Sequence, residues 1–451
     1  MKQLLAYCLS IILCVSFTGC MENYLDLYPE DKITSASFPE NESDIKLLLN
    51  GVYAQLREKE VYNQGLFGFG ITDGATPNAF NWGTDEVFNK LGAGRLSSSD
   101  GGVVTYRWKR CYEIISRANY LLACMDLVDL SEEAKAKYSG ETHFLRGLAY
   151  SVLAETYGGV PIILTNISTE EARSLKRASL EETWQQALDD YEVAITNLGV
   201  DAPEPGRATK GAALGMKMRA YLYQGKYKEV LSCVEQIDAL KKYGLFHSYE
   251  GLFDPANENN KEVLFDIQYI EGENSQGSYI DQYCGTGTGS WTRGSRYVPT
   301  DDLVAAYETI DGSPVDPENP YENRDPRLGF TAVLPGSYFL GYRFPNYLYP
   351  GGAFNHAGNR LKHLSTRKYR IQDESKLPPS GQSYINDIIL RYADVLLSKA
   401  EAIIETNGSV ADAIAILNRI RTERDDVKIS LLPTSMSREE AREKERHERR
   451  I

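Results

Sequence analysis

A single glycine sets the geometry of this chain. An apolar-periodic segment opens at Thr209, runs through Tyr221-Leu222-Tyr223 and is stopped by Gly225, and a second segment starts at Lys226 and continues to Leu240. So short a connection leaves two helices only one arrangement, side by side and antiparallel. The same pattern recurs along the sequence. Ile45, Leu48, Leu49, Val52 and Leu56 form one helical stripe after Asp44. Ser179 and Glu182 make a capping box ahead of Trp184, Leu188, Tyr191 and Ile195, and Gly199 supplies the stop.

Residues 206–224 with 226–240, and 387–406 with 409–424, read as tetratricopeptide-type hairpins. Ala212, Ala213, Ala220, Ala400 and Ala413 are the small residues that let paired helices approach. Two further pairs follow the same logic, the Ile45 helix with residues 106–125 and residues 132–157 with 180–198. The expected fold is therefore all-α, mainly helical, a degenerate repeat scaffold with long irregular loops and small β elements. The loops are residues 65–104 and 246–383, rich in Gly, Pro, Asn and aromatic residues, and strand-like runs such as 262–269 lie in the second. Loops of that length in a folded body usually carry function. Ser437 and Glu440 open a last helix that reaches Ile451 without Gly, Asn or Pro to close it, and Ala441 is the one apolar residue of 438–450. The expectation is that the natural chain continues and that this helix's packing partner lies further on.

Composition narrows the function. A formal net charge of -14, from 49 Lys and Arg against 63 Asp and Glu, is opposite to what phosphate neutralisation requires, which sets nucleic-acid binding aside. Tyr is abundant at 30 residues and Trp scarce at 4, a balance suited to amphipathic contact with polar ligands as well as to core packing. The apolar run from Leu4 to Phe17 is too short to span a bilayer and reads as a signal peptide. Thr18-Gly19-Cys20 resembles a bacterial lipobox, so Cys20 is the expected lipidation site, a plain secretory signal cut near Gly19 being the alternative. Residues 1–19 are then signal peptide, 20–40 a lipidated tether and 41–451 one domain, divided into helical 41–245, a loop-rich insertion 246–386 and a C-terminal repeat 387–451. Glu22 and Asp26 resemble the acidic signal that sends some lipoproteins to the outer face of the outer membrane. Cys111, Cys124, Cys233 and Cys284 form no C-x-x-C pair and read as buried single thiols.

Several motifs resemble one family along nearly the whole chain. They are Gly140-Glu-Thr-His-Phe-Leu-Arg-Gly-Leu-Ala-Tyr150 followed by Tyr157-Gly158-Gly159-Val160-Pro161, and Gly206-Arg207-Ala208-Thr209-Lys210-Gly211. Tyr307-Glu308-Thr309-Ile310-Asp311-Gly312 with Asn323-Arg324-Asp325-Pro326-Arg327 follows, then Arg391-Tyr392-Ala393-Asp394-Val395-Leu396-Leu397 and Asn418-Arg419-Ile420-Arg421. Together they resemble the SusD-like (RagB/SusD) nutrient-binding outer-membrane lipoproteins. Each motif suits scaffold: Arg391 and Asp394 fit polar networks between helices, and Asn323, Asp325 and Arg327 a rigid turn. His447-Glu448-Arg449-Arg450-Ile451 is similar to the start of a longer family motif. The resemblance implies a surface-exposed lipoprotein that captures an oligosaccharide and hands it to a TonB-dependent SusC-like barrel, with no covalent chemistry and no cofactor.

A pyranose offers apolar faces and a hydroxyl rim, so its site needs flat rings beside amide, carboxylate or guanidinium groups. Two stretches supply both. The first holds Asp73, Asn78, Asn81 and Trp82; the second, around Gly285 to Gly289, holds Tyr283, Trp291 and Arg293. Tyr342 belongs to a third cluster with Tyr338, Tyr347 and Tyr349 that reads as loop packing or a secondary contact. The glycines match neither G-x-G-x-x-G nor a Walker ending, and neither H-E-x-x-H nor G-x-S-x-G is present. The five histidines are scattered, and His356 with His363 is the one pairing a metal would use. Two readings compete with glycan capture: the same scaffold capturing peptides or a glycoprotein, and a helical-repeat interaction module.

Overall fold

Most of the described helices in this chain begin behind a side chain that caps them; those starting at Val103, Tyr227 and Tyr392 do not. The computed structural model describes residues 38–57, 73–74, 76–81, 90–271, 277–278, 297–340, 342–344, 364–371, 373–378 and 382–451. Asn41 accepts from the Asp44 amide ahead of α1 (Glu42–Tyr53), which is followed by α2 (Val103–Cys124). Ser131 caps α3 (Glu132–Tyr157), and complete capping boxes, Ser168 with Glu171 and Ser179 with Glu182, open α4 (Thr169–Ser174) and α5 (Leu180–Asn197). Thr209 caps α6 (Lys210–Tyr223), and Gly225, at φ +66°, turns the chain into α7 (Tyr227–Ala239). Short helices α8 (Asp301–Ala306) and α9 (Pro326–Thr331) start behind Thr300 and Asp325. The C-terminal set is α10 (Tyr392–Glu405), α11 (Val410–Thr422) behind Ser409, and α12 (Arg438–Arg450) behind the box of Ser437 and Glu440.

All four expected pairs form: α1 with α2, α3 with α5, α6 with α7, and α10 with α11. Successive pairs also touch through α2 and α3, α5 and α6, and α7 and α10, so one core runs from Ile45 to Ala441. Ala212, Ala213, Ala220, Ala400 and Ala413 are buried at these crossings, as their small size requires. Cys111, Cys124 and Cys233 are free and buried, and burial pushes the Cys111 thiol up to about 12, which makes it inert packing.

The structure corrects two expectations. Residues 387–391 are not the first turn of the helix. They form β8 (Asp387–Arg391), antiparallel to β2 (Val263–Ile267), and α10 starts only at Tyr392. Gly215 on α6 makes room for this sheet, since a Cβ there would come 2.3 Å from Leu390 Cδ2. The second correction concerns α12, whose packing partners are present in the chain. It buries Ala441, Glu445 and Glu448 and packs on α10 and α11 through ions rather than an apolar stripe. Arg449 reaches Asp394 at 2.9 Å and Glu401 at 3.1 Å, while Arg442 pairs with Glu405.

Buried charge also clamps the first pairs together. Arg146 of α3, 6% exposed, forks onto Asp190 of α5, 1% exposed, with Nη2 to Oδ1 at 2.7 Å. Its Nη1 donates to Asn119 Oδ1 of α2 at 2.8 Å, and Asn119 Nδ2 donates to the Ile163 carbonyl. One guanidinium thus fixes three helices and the segment after the Tyr157-Gly158-Gly159 turn. Asp190→Ala strands that guanidinium in the core, and we expect a loss of about 3–5 kcal/mol. Denaturant unfolding measures it, and a change below about 1 kcal/mol would contradict the clamp.

Arg449 is shared by three carboxylates and cannot serve all equally. Burial raises Asp394, but Arg219 and Arg449 outweigh it and hold that carboxyl below its ordinary range. Burial lifts Glu445 to about 7, with Arg449 opposing and Glu401 adding to the rise. The unfolded pKa of glutamate is about 4.3, so the fold favours neutral Glu445. That contribution is complete below about pH 4.3 and is lost as pH rises through the folded value. Wild-type melting temperature should therefore fall between about pH 5 and about pH 8 by about 2 °C more than that of Glu445→Gln, which cannot ionise. Parallel pH profiles for the two proteins would refute this assignment.

Candidate functional site

Three residues of the first candidate stretch lie against Tyr297, the last residue of the second, and the two residues that follow it. Strand β1 (Ala79–Asn81) pairs antiparallel with β3 (Tyr297–Pro299), Ala79 facing Pro299, Phe80 facing Val298 and Asn81 facing Tyr297. Asn81, the residue before Trp82, therefore faces Tyr297, which lies six residues after Trp291. Two stretches more than 200 residues apart in sequence are brought to one place. Trp82, Tyr283, Trp291 and Arg293 lie outside the described residues, as do Cys20, His356, His363 and the side chains of Asn81 and Tyr342.

What is described is the frame that holds the ladder. Thr300 follows β3, caps α8 by accepting from Leu303 N at 3.1 Å, and donates its own amide to the Asn78 carbonyl at 3.0 Å. Its hydroxyl donates to the Pro77 carbonyl. On the other side Thr76 closes a turn, with both its amide and its hydroxyl donating to the Asp73 carbonyl while its hydroxyl oxygen accepts from Asn78 N. Asp73 itself is exposed. The Asn78 side chain is engaged: Arg450 Nε, from the last turn of α12, donates to Asn78 Oδ1 at 2.7 Å. Thr300's cap of α8 is a local signal, but its bonds to residues 77 and 78, like that of Arg450 to Asn78, join positions hundreds of residues apart and carry none. Further along the first loop Lys90 meets Asp100 at 2.9 Å, and that hydrogen bond, with those from Ser97, holds the Asp100 carboxyl at about 2.

Two aromatic side chains of the irregular segments are exposed. Phe80 is 48% exposed on β1, and Tyr338 is 67% exposed on β5 (Tyr338–Phe339), which pairs with β6 (Tyr342–Arg343) while Phe339 turns inward. The remaining two-stranded sheet joins β4 (Ala332–Val333) to β7 (Ser365–Thr366). No set of metal-type side chains converges among the described residues.

Behind the ladder the signature residues form a buried ionic lattice. Arg327 pairs with Asp325 at 2.7 Å and with Glu448 of α12 at 2.5 Å, and Arg421 of α11 reaches the other oxygen of Glu448 at 3.0 Å. Arg421 also pairs with Glu308, as does Lys444. Burial would raise Glu308, but the hydrogen bonds from Arg421 and Lys444 win and hold its carboxyl at about 2. Arg391 and Arg424 share Glu262 in the same way. Asn323 takes φ +51° and donates to Asp311 Oδ1 at 3.1 Å, which makes the expected rigid turn.

Comparison with known proteins agrees with this division into scaffold and loops. A sequence model described as SusD family matches residues 261–451, and one described as starch-binding associating with outer membrane matches residues 23–222. SusD-like protein P25 of Formosa agariphila is 26% identical over 457 residues, covering 93% of this chain and 81% of that protein. The crystal structure of a SusD-like carbohydrate binding protein from Bacteroides fragilis superposes with a TM-score of 0.79 at 27% identity, covering 91% of this chain and 83% of that one. A laminarin binding SusD-like protein shares the fold, with a TM-score of 0.70 at 21% identity over 91% of this chain and 90% of that one. The class so defined is non-catalytic and carbohydrate-binding, on a helical scaffold, and one of its family models is described as outer-membrane-associated. The chain belongs to the SusD-like family. No helix among the described residues is long and apolar enough to cross a membrane.

Proposed function

We propose that this protein captures an oligosaccharide at the cell surface and delivers it to a TonB-dependent SusC-like transporter of the outer membrane. The observation that carries the reading is the β1–β3 ladder, which sets the Asn78–Asn81 end of one aromatic and amide-rich loop against the end of the other. Trp82, Tyr283 and Trp291 supply the stacking rings in this reading, and Asp73, Asn78, Asn81, Arg293 and Tyr342 the hydrogen-bonding groups. Residues 1–19 act as signal peptide and residues 20–40 as a tether lipidated on Cys20. Several acyl chains, each buried CH₂ contributing roughly 0.8 kcal/mol, anchor the protein without a transmembrane helix.

An open aromatic platform binds sugars with a dissociation constant on the order of micromolar to millimolar. A glycan array followed by calorimetry, on protein lacking the residues up to Cys20, should find such a ligand. Trp82→Ala and Trp291→Ala should each weaken it at least about tenfold, about 1.4 kcal/mol, without lowering the melting temperature. Absence of binding to any glycan would favour peptide capture on the same scaffold. The anchor is tested separately: Cys20→Ser should abolish incorporation of labelled palmitate and release the protein from the membrane fraction. Retention of the label in that variant would rule out Cys20 as the acylated residue.

A further inference from the structure

Every hydrogen-bonding group of Asn78 except one is engaged. Its amide N–H donates to Thr76 Oγ1 at 3.1 Å, its carbonyl accepts from the Thr300 amide at 3.0 Å, and its side-chain Oδ1 accepts from Arg450 Nε at 2.7 Å. A guanidinium has donors only, so the atom facing Arg450 must be the carbonyl oxygen and the Nδ2 amine must face the other way. Nδ2 makes no hydrogen bond among the described residues, and the residue is half-buried one position before the ladder begins. Arg450 sits beside Glu448 and Arg449, which are paired in the ionic lattice; its Nη2 is buried with no hydrogen-bond partner among the described residues, and its Nε is engaged by the Asn78 side-chain oxygen.

We propose that Arg450 is a positioning residue of the glycan site. By holding Asn78 Oδ1 it presents the Nδ2 donor of Asn78 to an acceptor oxygen of the bound sugar, a hydroxyl or ring oxygen. This rests on the glycan-capture reading, and it adds a direction to one contact: the Asn78 side chain turns its two amide donors, rather than its oxygen, outward. It also makes the last turn of α12 a determinant of binding.

The test uses an array of neutral malto-, laminari-, xylo- and manno-oligosaccharides, with the strongest binder then taken into calorimetry. Asn78→Asp keeps an oxygen for Arg450 and replaces the outward donor by an acceptor. It should melt no lower than wild type and bind at least about tenfold more weakly. Arg450→Lys retains a donor for Oδ1 and should bind within about threefold of wild type, whereas Arg450→Ala frees the amide to rotate and should lose about three- to tenfold more. A merely structural arginine would give Lys and Ala variants with matched affinities, and that result overturns the proposal. So does wild-type affinity in Asn78→Asp. Should that variant fail to fold, the comparison of Lys with Ala decides alone. Wild-type protein that binds no sugar either here or on a full glycan array overturns glycan capture itself, an outcome distinct from the other two.

Discussion

Glu448 carries two guanidinium groups on one carboxylate. Arg327 takes one oxygen and Arg421 the other, and all three side chains are buried. Removing two cations and an anion from water is costly, and the cost is offset only where geometry lets every partner be satisfied at once. The constraint is therefore mutual. The turn at Asn323 to Arg327, helix α11 and helix α12 each hold position because the other two do. From that joint the chain reaches outward to Glu308, Lys444 and, through the last turn of α12, to Asn78. This ionic base sits beside small apolar clusters, such as Leu303, Tyr307 and Leu328, and the two together carry the irregular segments.

The helical part was readable because its signals are local. Capping boxes at Ser179 and Ser437, the stop at Gly225 and the stripe from Ile45 to Leu56 each depend on residues within a few positions of one another. Asp387–Arg391 misled because a short apolar run next to a true helix has no period of its own, and it is the contact with Val263–Ile267 that makes it a strand. The partners of α12 were invisible for a related reason. Arg449 pairs with Asp394 and Glu401, and Arg327 with Glu448, across roughly 50 to 120 positions that no sequence period connects. At the site, composition picked out both loops, but nothing in Ala79-Phe80-Asn81 announces a strand, so their meeting was not legible.

The residues that mark the family and the residues proposed to select a ligand are different sets. Arg146, Arg327, Arg391, Asp394 and Arg421 are all engaged in ion pairs inside the body, where a change of partner strands a charge. Asp73, Phe80 and Tyr338 have exposed side chains and none is fixed in a buried ion pair of this kind. A relative sharing about a quarter of its residues can therefore keep the scaffold while its surface reads another polymer.

The three-residue ladder between β1 and β3 has an evolutionary side. It is the seam where two separately encoded loops are sewn together, and it rests largely on main-chain hydrogen bonds that most side chains can satisfy. Either loop can lengthen, shorten or change its rings beyond the seam while the seam stays closed. A lineage moving to a new sugar can thus alter one loop first and the other later, passing through intermediates that still fold.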